Sequence, residues 1–457
     1  MSNTTSMKKF REYSQDQVLL MPPSLRDWVP AHHPVHSVDQ VVNDLDLSAI
    51  YADYSEAKGQ PPYNPRMMVK VWVYAYSLGI RSSRRLERAL YDDIGFRFLS
   101  GNQQPDFWTL AAFRRRHHQA LGGLLAQTVQ VAARAGLVPG KHVAVDGTKV
   151  QANASKHSAM SYGRMKREIK RLQQEIDQYL TECEDTDDQE DEQLGDSAGW
   201  TLPKHLDTAQ KRLRAIREAK AALEAEAQEK AQEEEAARTR DDAAKGTKRK
   251  RKAKSSTPPD RAQRNFTDPE SRIMKSADKS FIQGYNAQVA VDTQSMIVVA
   301  GDLTNQAADS PHLLDMVGHV ERIIGHRPRQ LSADAGYYSE ANRAFLEEQL
   351  IEAFIPPDKV KHRQWRTQRA PCGRIPPSAT PKERMRRKLR TKVGRATYLK
   401  RQTTVEPTIG HLKEPMGIRR LLLRGLSKAR SEWLFACAVY NLKKVIWARG
   451  TPQMAPT

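Results

Sequence analysis

Hydrophobic and polar residues follow different periods in successive parts of this 457-residue chain, and the changes of period divide it. Residues 1–38 hold many Pro and His and keep no sustained period. From about 38 to 138 the pattern is helical. Asn64-Pro65 places a cap residue before a proline in the first turn, where the missing N–H is no loss, and MMVKVWVYAYSLGI reads as a buried helix ending near Gly79. Ser82 or Ser83 is a cap candidate for RRLERALYDDIGFRFL, and Thr109 for LAAFRRRHHQALGGLLAQTVQVAARAGL. At KHVAVDGTKVQA, residues 141–152, alternation and valines predict a strand. Ile169, Leu172, Ile176 and Tyr179 then recur at helical steps, as do Leu206, Leu213, Ile216 and Leu223. They predict an antiparallel coiled-coil hairpin with the acidic stretch ECEDTDDQEDEQLGD between its helices. AEAQEKAQEEEAARTRDD continues as a charged helix, and KGTKRKRKAKSSTPPD reads as a basic linker with no fixed structure of its own.

Regular patterning resumes near residue 280. GYNAQVAVDTQSMIVVAGD gives two strands around a turn at Asp292–Ser295, Ser310-Pro311 opens the helix HLLDMVGHVERII, and RQLSADAG is a short strand ending in a turn. Ser339 starts the helix EANRAFLEEQL, and prolines stop the strand EAFIPP. Strands and helices in this order predict an α/β fold with a mixed sheet. Residues 358–401 are strongly basic and loop-rich, and VEPTIGHLK and SKARSEWLFACAVYNLKKVIWAR close the chain with helices.

Charge changes the picture. The formal net charge is +20, more than solubility needs, and a surface this basic attracts polyanions. Nucleic acid is the first candidate. An anionic membrane is the second, but no segment is a long uncharged apolar run, so no membrane is expected. The consecutive Arg114, Arg115 and Arg116 read as exposed, either as phosphate contacts of a helical DNA-binding domain or as a solvated helix face. Cys183, Cys372 and Cys437 are far apart and form no CxxC pair, which argues against zinc and for a reducing compartment. The N-terminus MSNTTSMKKFREYSQD has no apolar core of a signal peptide, so a cytoplasmic location is expected.

Three acids stand out. Asp146 follows the apolar strand HVAV and precedes Gly147. Asp334 ends another apolar strand, beside the small Ala335 and Gly336. Glu406 opens the helix of TTVEPTIGHLK with Pro407 in its first turn, and Lys413 lies near the same face. Carboxylates on rigid elements suit hard divalent cations. Each acid also has an ordinary reading, as a turn residue or as a favourable charge at a helix N-terminus. Asp292 and Asp302 also end apolar strands; Asp292 suits the hairpin turn, and Asp302 ends an edge of the same hairpin.

The motifs VAVDGTKVQANAS with Asp146, LSADAGYYS with Asp334, and Tyr398, Arg401, Glu406 and Lys413 resemble those of the DDE-type transposases of bacterial insertion sequences. The last four resemble that family's Tyr-x2-Arg…Glu-x6-Lys signature subgroup, with an Arg-to-Glu gap one residue longer than the commonest form. PPYNPRMMVKVWVYAYSLGIRSSRRLE, FLSGNQQPDFWTLAAFRRRH, GYNAQVAVD and GIRRLLLRGLSKARSEWLFACAVYNLKK add to the likeness, which covers about 20–155 and 280–447. The resemblance implies a ribonuclease H-like catalytic core in which Asp146, Asp334 and Glu406 hold two Mg²⁺ or Mn²⁺ ions; some relatives carry a cysteine cluster before the third motif, but only Cys372 stands there in this chain, so no zinc is expected. It implies recognition of terminal inverted repeats, hydrolytic nicking, and attack of a 3′-hydroxyl on target DNA. Tyr398, Arg401 and Lys413 would position the DNA end, and Lys149 would face the site. Pairing two ends suggests a homodimer in the active complex, nucleoid-associated when acting.

The expected organisation is a helical DNA-binding domain over 1–138, a catalytic domain over 139–160 and 280–447, the hairpin insertion over 161–240 and a flexible basic linker over 241–279. Two other readings remain open: a catalytically silent DNA-binding or regulatory protein on the same scaffold, and a related structure-specific nuclease.

Overall fold

The computed structural model describes residues 24–54, 61–194, 204–245, 256–276, 278–359 and 371–448. Among the described residues, eight helices come first: α1 (Leu25–Trp28), α2 (Pro34–Asn43), α3 (Ser48–Tyr51), α4 (Pro65–Ser77), α5 (Ser83–Asp92), α6 (Ile94–Ser100), α7 (Phe107–Arg116) and α8 (His118–Arg134). The predicted Asn64 cap of α4 forms, its side chain accepting from the backbone N–H groups of Arg66 and Met67 at 2.9 and 3.4 Å. Two predicted helices are each broken in two. RRLERALYDDIGFRFL divides at Asp93, whose carboxylate accepts from Gly95 N and Phe96 N and so starts α6. Asp106 rather than Thr109 caps α7, accepting from Thr109 N at 2.6 Å, and the run bends at His117 before α8. In both, an aspartate satisfies first-turn N–H groups that would otherwise be left open.

The strands are β1 (His142–Gln151), β2 (Ala159–Ser161), β3 (Gln263–Asn265), β4 (Arg272–Lys275), β5 (Phe281–Asp292), β6 (Val298–Thr304), β7 (Gln330–Ala333) and β8 (Glu352–Phe354). The main sheet runs β6-β5-β1-β7-β8, with β4 pairing the first residues of β5. β5 is antiparallel to β6 and β1, while β1, β7 and β8 are mutually parallel, so the sheet is mixed as the pattern predicted. The predicted turn forms after β5, with Asp292 Oδ1 accepting from Gln294 N and Ser295 N. Asp302 pairs with Arg430 at 2.7 Å. Both rival acids therefore have structural partners.

The remaining helices are α9 (Tyr162–Leu194), α10 (Lys204–Lys245), α11 (Leu313–Ile324), α12 (Glu340–Glu348), α13 (Pro381–Arg390), α14 (Lys392–Lys413) and α15 (Leu426–Ala448). α14 lies across β1, β5 and β7, and α15 packs on β6 and α8. The protein is thus mixed α/β. One continuous apolar core runs from Val29 through the sheet to Ile446, so the N-terminal helices share their interior with the strands.

A separate small core joins α9 and α10. Leu172, Ile176, Leu213, Ile216 and Leu223 are buried in it, matching five of the predicted positions. Tyr162 Oη donates to Glu224 at 2.6 Å near the root of this pair. The side chains of Tyr179 and Leu206 and the turn over 195–203 lie outside the described residues. The predicted linker over 241–279 needs correction. Its most basic part, 246–255, lies outside the described residues, but α10 runs to Lys245 and β3 and β4 fold within 256–276. Arg264 and Arg272 both pair with Glu226 of α10, which ties these strands down.

Two histidines are held neutral by this packing. Burial pushes His142 down to about 4, aided by Lys400, and His411 to about 4, aided by Lys443 and Lys444. His142 contacts Ser332 Oγ at 3.1 Å, and the His411 ring packs edge-on to Tyr440. Their folded values lie below the unfolded one, so their contribution is present above about pH 6.5 and is lost as pH falls toward 4. The denaturation midpoint should drop over that window, with a shallower slope in His142→Asn and in His411→Phe. An unchanged slope in both variants would refute this.

Candidate active site

Strand register brings Asp146 and Asp334 together. β1 and β7 are parallel with Val145 opposite Ala333, so the next residue on each chain is one of the two acids. Asp334 turns out of its strand and caps the 3-10 turn Ala335–Tyr337, its Oδ1 accepting from Gly336 N at 2.8 Å. Asp146 Oδ1 accepts from Gly147 N at 2.9 Å. Burial raises the Asp146 carboxyl to about 6; Arg401 opposes the shift, and Asp334 and Asp309 add to it.

Glu406 is placed differently from expectation. It does not open a helix: it lies in the middle of the 22-residue α14, with Pro407 inside that helix. The helix continues past the proline with threonine hydroxyls bonded to its carbonyls, Thr404 to Lys400 O at 2.7 Å and Thr408 to Thr404 O at 2.8 Å. Thr408 also meets Tyr440 Oη at 3.1 Å, anchoring this turn to α15. Glu406 is exposed, and its Oε1 lies 3.5 Å from Arg401 Nη2. Arg401 Nη1 in turn donates to Asp146 Oδ2 at 2.7 Å. One buried guanidinium therefore bridges two of the three acids.

Among the described residues, no three His, Cys, Asp or Glu side chains are grouped closely enough to hold an ion. The donor chemistry still fits a hard divalent cation. Asp146 and Asp334 are adjacent oxygen donors, and a buried carboxylate whose ionisation is opposed by its surroundings is stabilised by a cation.

The other predicted residues divide into two groups. Tyr398 is buried with Phe354 and Leu389, and Arg401 lies 5.7 Å from its ring centre. Lys413 Nζ donates to Lys149 O at 3.3 Å, and burial lowers its pKa. Lys149 Nζ donates to Ala307 O at 2.8 Å and pairs with Asp309 at 3.2 Å. These four stand around the acids. The arginine triplet does not, and one member needs correction. Arg115 is exposed, and Arg116 is exposed with a bond to Asp53 O, but Arg114 is buried. Its guanidinium lies 4.7 Å from the Trp72 ring centre and donates to Tyr76 Oη and Arg81 O. Successive helix residues differ by about 100° in direction, so three in a row cannot share one face.

Asp309 was missed by the sequence reading. It accepts at Oδ1 from Asn286 at 2.7 Å and from Gln288 at 3.1 Å, both fully buried on β5. Tyr337, three residues after Asp334, donates to the other end of Gln288. A signal was present: Asn286 and Gln288 are two residues apart on one face of a strand whose other residues from Tyr285 to Val291 are apolar, which demands a polar partner. Nothing in the sequence told which residue that partner was.

A transposase domain family (DUF772) matches residues 23–116, and the transposase DDE domain family matches residues 218–442. The chain belongs to the DDE-type transposases. The second match spans Asp334, Glu406 and α14, and the first covers the helices α1 to α7. No curated protein and no solved structure matches the chain. The mixed sheet is consistent with a ribonuclease H-like transposase, and the family generally uses divalent metal ions. Among the described residues, no helix is long and apolar enough to cross a membrane.

Proposed function

We propose that this transposase binds the terminal inverted repeats of its own element, nicks the DNA by metal-dependent hydrolysis and joins the 3′-hydroxyl ends to target DNA. The observation that carries the reading is the juxtaposition of Asp146 and Asp334 on neighbouring parallel strands, with Arg401, Lys149 and Lys413 around them. Asp146 and Asp334 would hold Mg²⁺ or Mn²⁺, and Glu406 would join them from α14. When bound, such ions activate the attacking hydroxyl and stabilise the leaving oxygen. The strand order β6-β5-β1-β7-β8, two antiparallel steps followed by two parallel ones, supports the ribonuclease H-like assignment.

The chain's own groups supply the rest. Lys149 and Lys413 sit beside the acids and bring positive charge to a phosphate that approaches them. Arg401, buried beside Tyr398, holds the Asp146 carboxylate in place, so the two would position the DNA end through that acid. The exposed Arg115 and Arg116 would contact the backbone farther away. Joining two ends in one event calls for two copies, so the active complex would be a homodimer.

Incubation of the protein with a DNA fragment carrying the element's ends tests this. Mg²⁺ or Mn²⁺ should give nicks at the ends and, with target DNA, joined products, while EDTA should abolish both. Binding without cleavage under all conditions would instead favour a silent DNA-binding protein. Cleavage without joining would favour a nuclease.

A further inference from the structure

Asp309 lies between β6 and the 3-10 turn Ser310–His312 that leads into α11. It stands at the N-cap of that turn, yet its side chain makes no capping bond there. The side chain is turned to the sheet instead. Oδ1 meets Asn286, Gln288 and Lys149. Oδ2 faces Gly336: a Cβ on that glycine would stand 3.4 Å from Asp309 Oδ2 and 3.0 Å from Asp334 Oδ1, so the two carboxylates flank one backbone atom.

Gly147, next to Asp146, is equally constrained. A Cβ there would come within 2.6 Å of both Asp309 Oδ1 and Gln288 Nε2. Both acid-bearing segments therefore carry a glycine where Asp309 approaches. Asn342 of α12 closes the arrangement by donating to Ser310 O and to Tyr337 O, each at 2.8 Å, which clamps the Asp309 segment to the Asp334 turn.

We propose that Asp309 is a fourth acid of the catalytic cluster, a positioning residue that holds Lys149 and the Asp334 turn in place and adds negative charge beside Asp146 and Asp334. The inference rests on the metal-dependent reading above. A carboxylate close to two others is unfavourable in itself, because like charges repel in a partly buried setting. Lys149 is the cation paired with it, and a bound divalent ion would relieve the remainder.

The test is Mn²⁺ binding to the full chain, read from the electron paramagnetic resonance signal of free Mn²⁺, in wild type, Asp309→Asn and Asp309→Glu. Removing one charge at this range should weaken Mn²⁺ binding roughly tenfold in Asp309→Asn. The Mn²⁺ midpoint for cleavage should shift by a similar factor. Asp309→Glu, which keeps the charge, should recover most of the affinity. Wild-type affinity in Asp309→Asn, or equal loss in both variants, would overturn the proposal. Should Asp309→Asn not fold, anomalous scattering from Mn²⁺ in wild-type crystals decides: an ion more than about 8 Å from Asp309, beyond a Debye length, would overturn it. Asp146→Asn is the control for the underlying reading. If it binds Mn²⁺ as wild type does, that reading fails; if it loses Mn²⁺ while Asp309→Asn does not, only the role of Asp309 falls.

Discussion

Asp146→Asn is expected to lower metal-dependent DNA cleavage by at least about a thousandfold while the protein stays folded, since charge stabilisation at a reacting centre is worth several kcal/mol. The substitution is close to isosteric. The side-chain oxygen can still accept from Gly147 N, the bond Asp146 makes at 2.9 Å. What is lost is the negative charge beside Asp334. Arg401 keeps Glu406 as a partner, so the guanidinium is not left alone. The wild-type pH profile follows from the same site. Burial raises the metal-free Asp146 carboxyl to about 6, so protons compete with the ion, and cleavage at sub-saturating Mg²⁺ should fall as pH falls through that value. Rates of wild type and variant in saturating Mg²⁺, and of wild type at sub-saturating Mg²⁺ from pH 5 to 8, with circular dichroism to confirm folding, check both statements. A folded Asp146→Asn that cleaves at more than a tenth of the wild-type rate would remove Asp146 from the site.

Glu432→Ala should cost about 3–5 kcal/mol of stability, the range for removing one partner of a buried ion pair. The Glu432 side chain is fully buried on α15. Its Oε2 accepts from Leu422 N at 2.8 Å and Leu423 N at 2.9 Å. Its Oε1 meets Tyr76 Oη at 3.4 Å and Arg81 Nη1 at 3.5 Å. Tyr76 also receives a bond from the buried Arg114. Alanine would leave Arg81 without its carboxylate partner, and the Tyr76 hydroxyl and two backbone N–H groups without their acceptor. The damage would travel, because the neighbouring segment is zipped to the end of β1: Gln151 N donates to Arg419 O and Leu421 N to Gln151 O. Denaturant unfolding gives the number, and a loss under about 0.5 kcal/mol, the size of an ordinary surface change, would contradict this account. Converting Arg81, Arg114 and Glu432 together to methionine should recover much of the loss, since apolar replacement of a buried charge group is often neutral.

The legible parts of this protein were those in which one residue's local setting settles its place. Asp146 and Asp334 stand out because apolar runs stop at each of them; Asp334 does end its strand, whereas β1 continues past Asp146 to Gln151, and the parallel register makes the two neighbours. The α9–α10 pair was readable because buried leucines and isoleucines recur at helical steps over many turns. Glu406 was misplaced because a proline is an honest sign of a helix start. That sign fails where threonine hydroxyls and packing on α15 carry a helix through it. Arg114 was misread because three adjacent arginines look like a stripe in a line of text, whereas a helix sends them in different directions. Asp309 was out of reach for a different reason. Its partners lie on β1 and β5, far away in the sequence, and its own loop has no period to betray which way the side chain turns.

The shared interior also bears on how such a protein can be rearranged by gene fusion. The matched segment 23–116 ends before α8, which suggests a head that one element could exchange for another's. The contacts say otherwise. The Tyr76 ring packs against Phe435 at 4.9 Å, Arg81 Nη2 donates to Arg420 O at 2.6 Å and Lys443 Nζ donates to Ser77 O at 2.9 Å. A cut at residue 117 would strip the covering from α4 and α15 alike, exposing apolar surface on both pieces. An exchange that keeps the chain folded would have to carry α15 along with the head, although α15 lies at the opposite end of the sequence. Heads and catalytic parts in this lineage would then be inherited together, changing by substitution within the joint rather than by swapping across it.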